Sequence, residues 1–299
     1  MGITTTWQGQ TSNWADPSNW TAGPPLPGDT AVIGTAGAVS PVYSGFNTSM
    51  EDLTVDLEGG GYLGAFDINL VGTTIQTDLS AGPASQYGNP PGSFFVATQD
   101  IVVDSHSKIS AGGNEQVSSS LSVETPSLTN NGLLQGTDNG ELFLESNTGG
   151  TMTLKNNGHI AATDDGRVTI TSASVRGNGL FNILNGGDLD LSQVTFAGGT
   201  WIGFSASAAQ GGGTLELYDQ PVLTPAVHNF EVGDLVKIDN FAATKIIAAY
   251  NLFTHDTDVD VIGAGESHPV QAFSLAGDVS ASQLGFANVL GAAYVFRTS

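Results

Sequence analysis

Short alternations of apolar and polar residues recur along the middle of the chain, bounded by Gly, Asn, Asp and Ser. Three clear examples are LTVDL at 53–57, LSV at 121–123 and LEL at 215–217. A period of two places every second side chain on the same face, which is the pattern of a half-buried β-strand, and the intervening residues are typical of turns. Long runs of Ala, Glu, Lys and Leu that would predict helices are missing. The pattern therefore predicts an all-β protein.

A spaced glycine phrase organises these alternations into a repeat. Each copy begins with an Asn-Gly pair, continues to a second glycine eight residues after the first, and ends in a short apolar alternation. The paired glycines are Gly132 and Gly140, Gly158 and Gly166, and Gly179 and Gly187. Successive copies begin 26 and then 21 residues apart, a length that suits one coil of a parallel β-solenoid. We therefore expect the six glycines to lie at turns between strands.

Composition divides the chain into three parts. Residues 1–45 are rich in Trp and Pro, residues 46–213 carry the repeat, and residues 214–299 form a further β-rich module. The predicted fold is a right-handed parallel β-helix, in which residues 1–45 serve as a cap or an assembly segment. At roughly 21 residues per coil, the middle part predicts about eight coils.

Three of the four tryptophans, Trp7, Trp14 and Trp20, lie within the first 20 residues. Indoles bury large apolar areas, so these three are expected to cover the open end of the solenoid core. The alternative is a functional surface at this end of the protein. Such a surface would be either a stacking platform for sugars or a contact with another copy of the chain.

The charge of the chain is strongly one-sided, because 7 Lys and Arg stand against 29 Asp and Glu, a formal net charge of -22. Such a surface repels nucleic acid and anionic membranes, so neither is an expected partner. Solubility explains the charge without a ligand, and Ca²⁺ that bridges carboxylates is the functional alternative. The chain has no cysteine, which excludes disulfides and thiolate metal sites. No stretch approaches the roughly 20 apolar residues of a membrane span, and membrane insertion is not expected.

One acidic segment is a candidate metal site. Asp256, Asp258 and Asp260 are spaced by two, so in a strand all three would project from one face. Val259 and Val261 would then lie on the other face. The segment does not fit an EF-hand loop, because Val261 stands where that loop needs Gly. A surface Ca²⁺ site and an ordinary solvated strand face are the two interpretations.

Catalytic patterns in the sequence are weak. A polysaccharide lyase needs a base beside acidic residues, and the local candidates are Lys155, Arg167 and Arg176 with Asp164 and Asp165. A hydrolase needs two carboxylates across a cleft, whereas an adjacent Asp-Asp pair before Gly is typical of a turn. The five histidines show no metal-ligand spacing, and no Gly-x-Ser-x-Gly elbow occurs. The prediction is therefore that the protein is not an enzyme.

Both ends of the chain carry motifs that resemble those of known proteins. The Trp-rich start, followed by PGDTAVI at 27–33, resembles the opening of secreted bacterial β-helical surface and adhesin-like proteins. GTLEL at 213–217, NFEVGDLVKI at 229–238 and AYVF at 293–296 are similar to the C-terminal module of repetitive surface proteins of Gram-negative bacteria. The resemblance implies export by a type I system that reads an uncleaved C-terminal signal. It also implies a location outside the cell or on the surface of a Gram-negative bacterium.

Together these observations predict a non-catalytic extracellular structural protein. The ends of a solenoid present unpaired strand edges, and a contact between two unlike ends does not close. Head-to-tail self-assembly into a filament, or into a matrix or adhesin layer, is therefore expected. The expected partner is a further copy of the chain, with extracellular polysaccharide as the second candidate. No cofactor is required, and Ca²⁺ is the one candidate. The alternatives are a carbohydrate-binding surface module and a polysaccharide lyase or hydrolase.

Overall fold

The computed structural model describes residues 2–34, 40–43, 48–57, 62–65, 68–77, 93–112, 119–197, 199–204, 212–218, 222–263, 265–266 and 271–298. Within these ranges the chain forms 31 β-strands and two short 3-10 helices, Pro17–Asn19 and Ala281–Gln283. The prediction of an all-β protein is confirmed. Over the same ranges, no helix is long and apolar enough to cross a membrane.

The strands are numbered in chain order. The first ten are β1 (Thr4–Thr6), β2 (Thr30–Ile33), β3 (Val42–Tyr43), β4 (Thr48–Glu51), β5 (Thr54–Leu57), β6 (Tyr62–Ala65), β7 (Ile68–Val71), β8 (Thr74–Thr77), β9 (Ser93–Ala97) and β10 (Asp100–Val103). The next eleven are β11 (Lys108–Gly112), β12 (Ser120–Glu124), β13 (Ser127–Asn130), β14 (Leu133–Thr137), β15 (Glu141–Glu145), β16 (Met152–Asn156), β17 (His159–Ala162), β18 (Arg167–Thr171), β19 (Ala173–Arg176), β20 (Leu180–Ile183) and β21 (Asp188–Ser192). The last ten are β22 (Thr195–Ala197), β23 (Trp201–Phe204), β24 (Thr214–Tyr218), β25 (Val222–His228), β26 (Leu235–Ile238), β27 (Ala243–Asn251), β28 (Asp256–Gly263), β29 (Gln271–Ala276), β30 (Leu284–Val289) and β31 (Ala292–Arg297).

The described strands form three sheets that run along the molecule. Sheet I has the order β1-β2-β5-β8-β11-β14-β17-β20-β23-β25-β29-β28-β27, sheet II has the order β22-β19-β16-β13-β10-β7-β4, and sheet III has the order β3-β6-β9-β12-β15-β18-β21-β24-β26-β31-β30. Through the middle of the chain, each coil adds one strand to each sheet in parallel register. The predicted β-solenoid is confirmed, with about 7 turns.

The sequence predicts one coil more than the structure has, because several coils are longer than the repeat suggests. Ile68, Ile101 and Leu128 are in register on adjacent strands of sheet II, yet they are 33 and 27 residues apart in the chain. Both separations exceed the roughly 21 residues assumed for one coil. A count based on the short coils of the glycine repeat therefore overestimates the number of coils.

Inward-facing side chains form continuous apolar ladders through the core. On sheet I one ladder runs through Ile75, Ile109, Leu134, Ile160, Phe181, Ile202 and Val227, each paired with the next across adjacent strands. Every member is buried. Because the apolar/polar alternation in each strand puts its apolar residues on the inner face, stacking the coils places these residues over one another and removes them from water.

The six repeat glycines lie at turns, as the sequence predicts, and close packing between coils requires them. A Cβ atom built on any of the six would come closer than 3.0 Å to atoms of a neighbouring coil. At Gly166 these atoms belong to the backbone of Gly136 and Thr137. The left-handed backbone conformation of the same turn falls on Asp164 and Asp165, whose φ angles are 54° and 59°. The prediction that Asp164 and Asp165 belong to a turn is confirmed.

Buried asparagines connect neighbouring coils at the corner between sheets II and I. The Asn130 side chain donates to the Oδ1 atom of Asn156 over 2.8 Å and to the carbonyl of His159 over 3.0 Å. It accepts from the amide of Gly132 over 3.1 Å. Asn156 donates in turn to the carbonyl of Leu180 over 3.3 Å. These amides satisfy backbone groups at a corner where strand pairing is interrupted.

Parallel pairing gives way to antiparallel pairing near the C-terminal end. Sheet I ends in the antiparallel strands β29, β28 and β27, and sheet III ends in β26, β31 and β30, again antiparallel. Two hairpins, β27–β28 and β30–β31, thus form the last layer of the described structure. In the described residues β27 and β30 are edge strands, since each pairs on one side alone.

Candidate functional site

The N-terminal tryptophans pack against one another at the start of the solenoid. The ring centroids of Trp7 and Trp20 are 4.9 Å apart and those of Trp14 and Trp20 are 4.8 Å apart, both edge to face. Trp14 also contacts Tyr43 at 5.3 Å, and the indole N–H of Trp20 donates to the carbonyl of Trp14 over 2.7 Å. The exposed fractions of the three indoles are 3%, 7% and 3%. Their faces are therefore occupied by protein, as in a cap, and are not open for stacking on a sugar.

The outer edge of β1 is occupied by the returning chain. The amide of Thr21 donates to the carbonyl of Thr6 over 3.0 Å, and the amide of Thr6 donates to the hydroxyl of Thr21 over 2.9 Å. The hydroxyl of Thr5 donates to the carbonyl of Gly23 and accepts from the amide of Ala22. Another strand could pair with this edge after displacement of residues 21–23.

The acidic segment forms a strand with the predicted alternation. Asp256, Asp258 and Asp260 lie on the outer face of β28, whereas Val259 and Val261 are buried in the core. The Asp258 carboxylate accepts hydrogen bonds from the side chains of two residues, Asn251 over 3.2 Å and Ser274 over 2.8 Å.

The described part of the chain holds no cluster with metal-binding geometry. No group of three or more His, Cys, Asp or Glu side chains that could hold a metal ion occurs there. His268, one of the five histidines, lies outside the described residues. Binding of Ca²⁺ between molecules stays a prediction.

The C-terminal edge strands carry exposed apolar side chains. On β27 and its hairpin tip these are Ile247, Tyr250, Leu252 and Phe253, and on β30 and its tip they are Phe286, Val289 and Leu290. Phe253 is 96% exposed and Leu290 fully so. An unpaired strand edge flanked by apolar side chains is a template for pairing with another chain. Sequence reasoning identified the solenoid ends as open but did not identify these residues.

The two C-terminal hairpins are joined at one end. The side-chain amide of Asn288 donates to the carbonyl of Ala243 over 2.8 Å and accepts from its amide over 2.9 Å. The amide of Phe241 donates to the carbonyl of Gly291 over 2.8 Å. These bonds hold the start of β27 against the end of β30. Beyond Ala243, the outer edge of β27 makes no strand pairing among the described residues.

A strip of charged side chains, which we call the charged strip, crosses the outer face of sheet III. It comprises Glu141, Arg167, Asp188, Asp190, Glu216, Lys237 and Asp239. The Arg167 guanidinium is 3.1 Å from Asp188 and 3.3 Å from Asp190, and the Lys237 ammonium is 2.6 Å from Glu216 and 3.2 Å from Asp239. Five carboxyl groups therefore share two cations. The repeat contains a signal for part of the strip, because Glu141, Arg167 and Asp188 occupy the same position in successive copies.

The set of residues expected for a lyase is not brought together. Lys155 and Arg176 are neighbours in register on the outer face of sheet II, whereas Arg167 lies on sheet III. Asp164 and Asp165 lie in the turn before β18, and the partners of Arg167 are the carboxylates of the charged strip. Coil stacking, and not proximity in the chain, sets the ion-pair partners of Arg167.

Two carboxyl groups in the charged strip, those of Asp190 and Glu216, have raised pKa values. Burial raises the pKa of Asp190 to about 6, although the neighbouring Arg167 opposes the shift. Burial raises the pKa of Glu216 to about 7, with a further contribution from Asp239 and opposition from Lys237. The two groups are opposite each other on adjacent strands, so they titrate as a pair. The Oδ1 atom of Asp190 is buried and accepts no hydrogen bond from the described residues.

These shifts predict that the protein becomes less stable as the pH rises from about 4 to about 7. Unfolding releases the protons that Asp190 and Glu216 retain in the folded state, so the free energy of unfolding falls with pH in this range. Asp190→Asn should remove about 2 kcal/mol of that fall, and Glu216→Gln should act in the same direction. Urea unfolding of the wild type and both variants at pH 5 and pH 8 measures the difference. Equal pH slopes in the wild type and both variants would show that the pair is not responsible.

Comparison with known proteins does not assign this chain to a family, so the chain is described by its architecture. A scan against protein-family models and a search of curated proteins find no match. What the structure establishes is a β-solenoid protein with an N-terminal cluster of tryptophans.

Proposed function

We propose that the chain is a non-catalytic structural protein, located outside the cell or on the surface of a Gram-negative bacterium, that associates with further copies of itself at its C-terminal end. The observation that carries this proposal is the pair of edge strands β27 and β30, which lie at the same end and bear exposed apolar residues. Pairing with a second copy would satisfy the open edges and bury those side chains.

The two ends of the solenoid differ, and the difference favours one mode of association. Head-to-tail growth needs an acceptor edge at the N-terminal end, where residues 21–23 already occupy the edge of β1. A contact between two C-terminal ends needs no such displacement. It would be two-fold and would close as a dimer, whereas head-to-tail contacts continue as a filament. We therefore propose the like-end contact as the first step of assembly, with filament growth dependent on release of residues 21–23.

Charge constrains this association. Two copies of net charge -22 repel each other, and the repulsion weakens as ionic strength rises. Divalent cations that bridge acidic surfaces would reduce it further. We propose that Ca²⁺ strengthens assembly in this way without forming part of the fold. The similarity of both chain ends to secreted surface proteins supports an extracellular setting.

Replacement of an exposed apolar residue on the edge strand should weaken association. Ile247→Lys places a charge beside the open edge of β27 and is expected to raise the dissociation constant of the dimer at least about tenfold. Val71→Lys is the matched control, because Val71 is 39% exposed and Ile247 is 38% exposed, but Val71 lies on sheet II. Light scattering during size-exclusion chromatography, with and without Ca²⁺, measures the mass, and negative-stain electron microscopy distinguishes dimers from filaments.

The outcomes separate the possibilities. A wild-type dimer that Ile247→Lys dissociates and Val71→Lys does not would support the proposal. Filaments that grow from the wild-type monomer without a dimer would support head-to-tail growth instead of the like-end contact. A wild type that stays monomeric up to about 100 μM in both conditions would refute self-association, because a structural polymer must associate at such concentrations.

A further inference from the structure

A groove with a mixed lining of amide, imidazole and aliphatic side chains runs along the corner between sheets II and I. Its volume is about 770 Å³, and residues of four consecutive coils line it. The residues that matter for its chemistry are His106, Lys108, Asn131, Gln135, His159 and Asn182. Leu133, Ala161 and Leu184 form apolar patches between them. From this groove we infer a binding site for an extended, neutral polysaccharide chain.

The amide side chains in the groove match the hydroxyl groups of a sugar. An amide both donates and accepts hydrogen bonds, as a hydroxyl group does, whereas a lone charge does only one of these. Asn157 donates to the Oδ1 atom of Asn131 over 2.9 Å, and Asn131 donates to the carbonyl of Val103 over 3.3 Å. These bonds use part of the capacity of each amide and orient the rest. The groove therefore presents oriented donors and acceptors at successive coils.

The outward ladder that crosses the groove continues to an aromatic ring. Leu133, His159, Leu180 and Trp201 pair in register on successive strands of sheet I. Adjacent strands are about 4.8 Å apart, so the ladder spans roughly 14 Å along the solenoid axis. A chain of sugar rings that lies along this axis would meet the amides of the groove first and the indole of Trp201 at the end of the ladder.

Trp201 is held as a rigid, partly exposed ring. It stacks on His228 with ring centroids 4.6 Å apart and an interplanar angle of 27°. The indole lies over Gly203, where any side chain would collide with it. Burial lowers the pKa of His228, which favours the neutral imidazole beside the indole. Trp201 is partly exposed, whereas Trp7, Trp14 and Trp20 are buried. It is thus the partly exposed tryptophan, with His228 stacked on one side of the ring and part of its surface accessible to a ligand.

Charge favours a neutral ligand. The protein carries a net charge of -22, which repels an acidic polysaccharide at long range. Among the lining residues Lys108 is the one Lys or Arg, and a single cation does not offset this net charge. Hydrogen bonds and apolar contacts with the ring faces remain as the forces that recognise the ligand.

The test is binding of the full-length protein to defined polysaccharides by affinity electrophoresis and by quenching of tryptophan fluorescence. The neutral probes are dextran, xylan, mannan and a β-1,3-glucan, and alginate is the acidic probe. At least one neutral probe is expected to bind. Trp201→Ala and Asn182→Ala should each weaken that binding at least about tenfold, because stacking and the groove amide both contribute. Tyr218→Ala is the matched control, since Tyr218 is an exposed aromatic residue on sheet III.

The outcomes are distinguishable from those of the assembly experiment. Circular dichroism verifies that each variant is folded. If Trp201→Ala does not fold, Asn182→Ala still tests the site. Loss of binding in both Trp201→Ala and Asn182→Ala, with the control unaffected, supports the site. Binding of none of the four neutral probes, binding of alginate alone, or an equal effect of Tyr218→Ala overturns it. The groove lies away from β27 and β30, so Ile247→Lys should leave polysaccharide binding unchanged.

Discussion

Replacement of Gly166 by alanine is expected to lower the free energy of unfolding by about 3 kcal/mol or more. The new Cβ would overlap the backbone of Gly136 and Thr137 in the preceding coil, and backbone atoms have little room to move. The coils would have to separate at this turn, which weakens the ladders on either side. Thermal unfolding followed by circular dichroism should show a midpoint lower by about 6 °C or more.

Gly150→Ala is the matched control for Gly166→Ala. Gly150 is exposed in the turn between β15 and β16, and an alanine Cβ there would have the hydroxyl of Thr148 as its nearest neighbour, at an ordinary contact distance of 3.5 Å. This variant should unfold within about 0.5 kcal/mol of the wild type. If Gly166→Ala is as stable as Gly150→Ala, then close approach between coils is not the reason for glycine at position 166.

Asn130→Ala is expected to destabilise the protein by about 3 kcal/mol. Asn130 is fully buried, and its amide bonds to three groups, the side chain of Asn156, the carbonyl of His159 and the amide of Gly132. Alanine would leave all three without that partner in the interior, and each unsatisfied buried group costs about 1 kcal/mol or more. Urea unfolding monitored by fluorescence measures the loss.

Asn157→Ala is the control for Asn130→Ala. Asn157 is exposed, and its side chain bonds to Asn131 over 2.9 Å, so Asn157→Ala should cost less than about 1 kcal/mol. Equal losses in the two variants would mean that burial of the amide does not determine its contribution. Limited proteolysis should show new cleavage near the corner in Asn130→Ala, because a solenoid loses contacts coil by coil.

Much of the fold follows from local pattern. The alternation at 53–57 predicts a strand with buried Val55 and Leu57, and both are buried in β5. The spacing of Asp256, Asp258 and Asp260 predicts one shared face, and the structure places them on the outer face of β28. These predictions succeed because strand faces depend on a period of two that neighbouring residues alone determine.

The candidate sites depend on contacts that the local pattern does not contain. Asp190 and Glu216 are 26 residues apart, and Lys237 follows Glu216 by 21, yet the three are consecutive members of one ladder. Coil lengths vary, so the residue that stacks on a given side chain is set by the number of residues in the intervening turns. Trp201 illustrates the same point, because its exposure depends on Gly203 and on His228 in the next strand of sheet I.

The sequence by itself determined the β-strands, the solenoid, the turn positions of its glycines and the acidic surface, since each rests on short-range periodicity or on composition. The tertiary structure alone decided that the N-terminal tryptophans are buried, that β27 and β30 are left as open edges, and that the charged strip and the groove exist. The physical reason is that burial, pairing and electrostatic coupling depend on which coils are stacked. The stacking pairs residues about 20 to 30 positions apart in the chain. A periodicity of two along a single strand does not predict which residues are paired in this way.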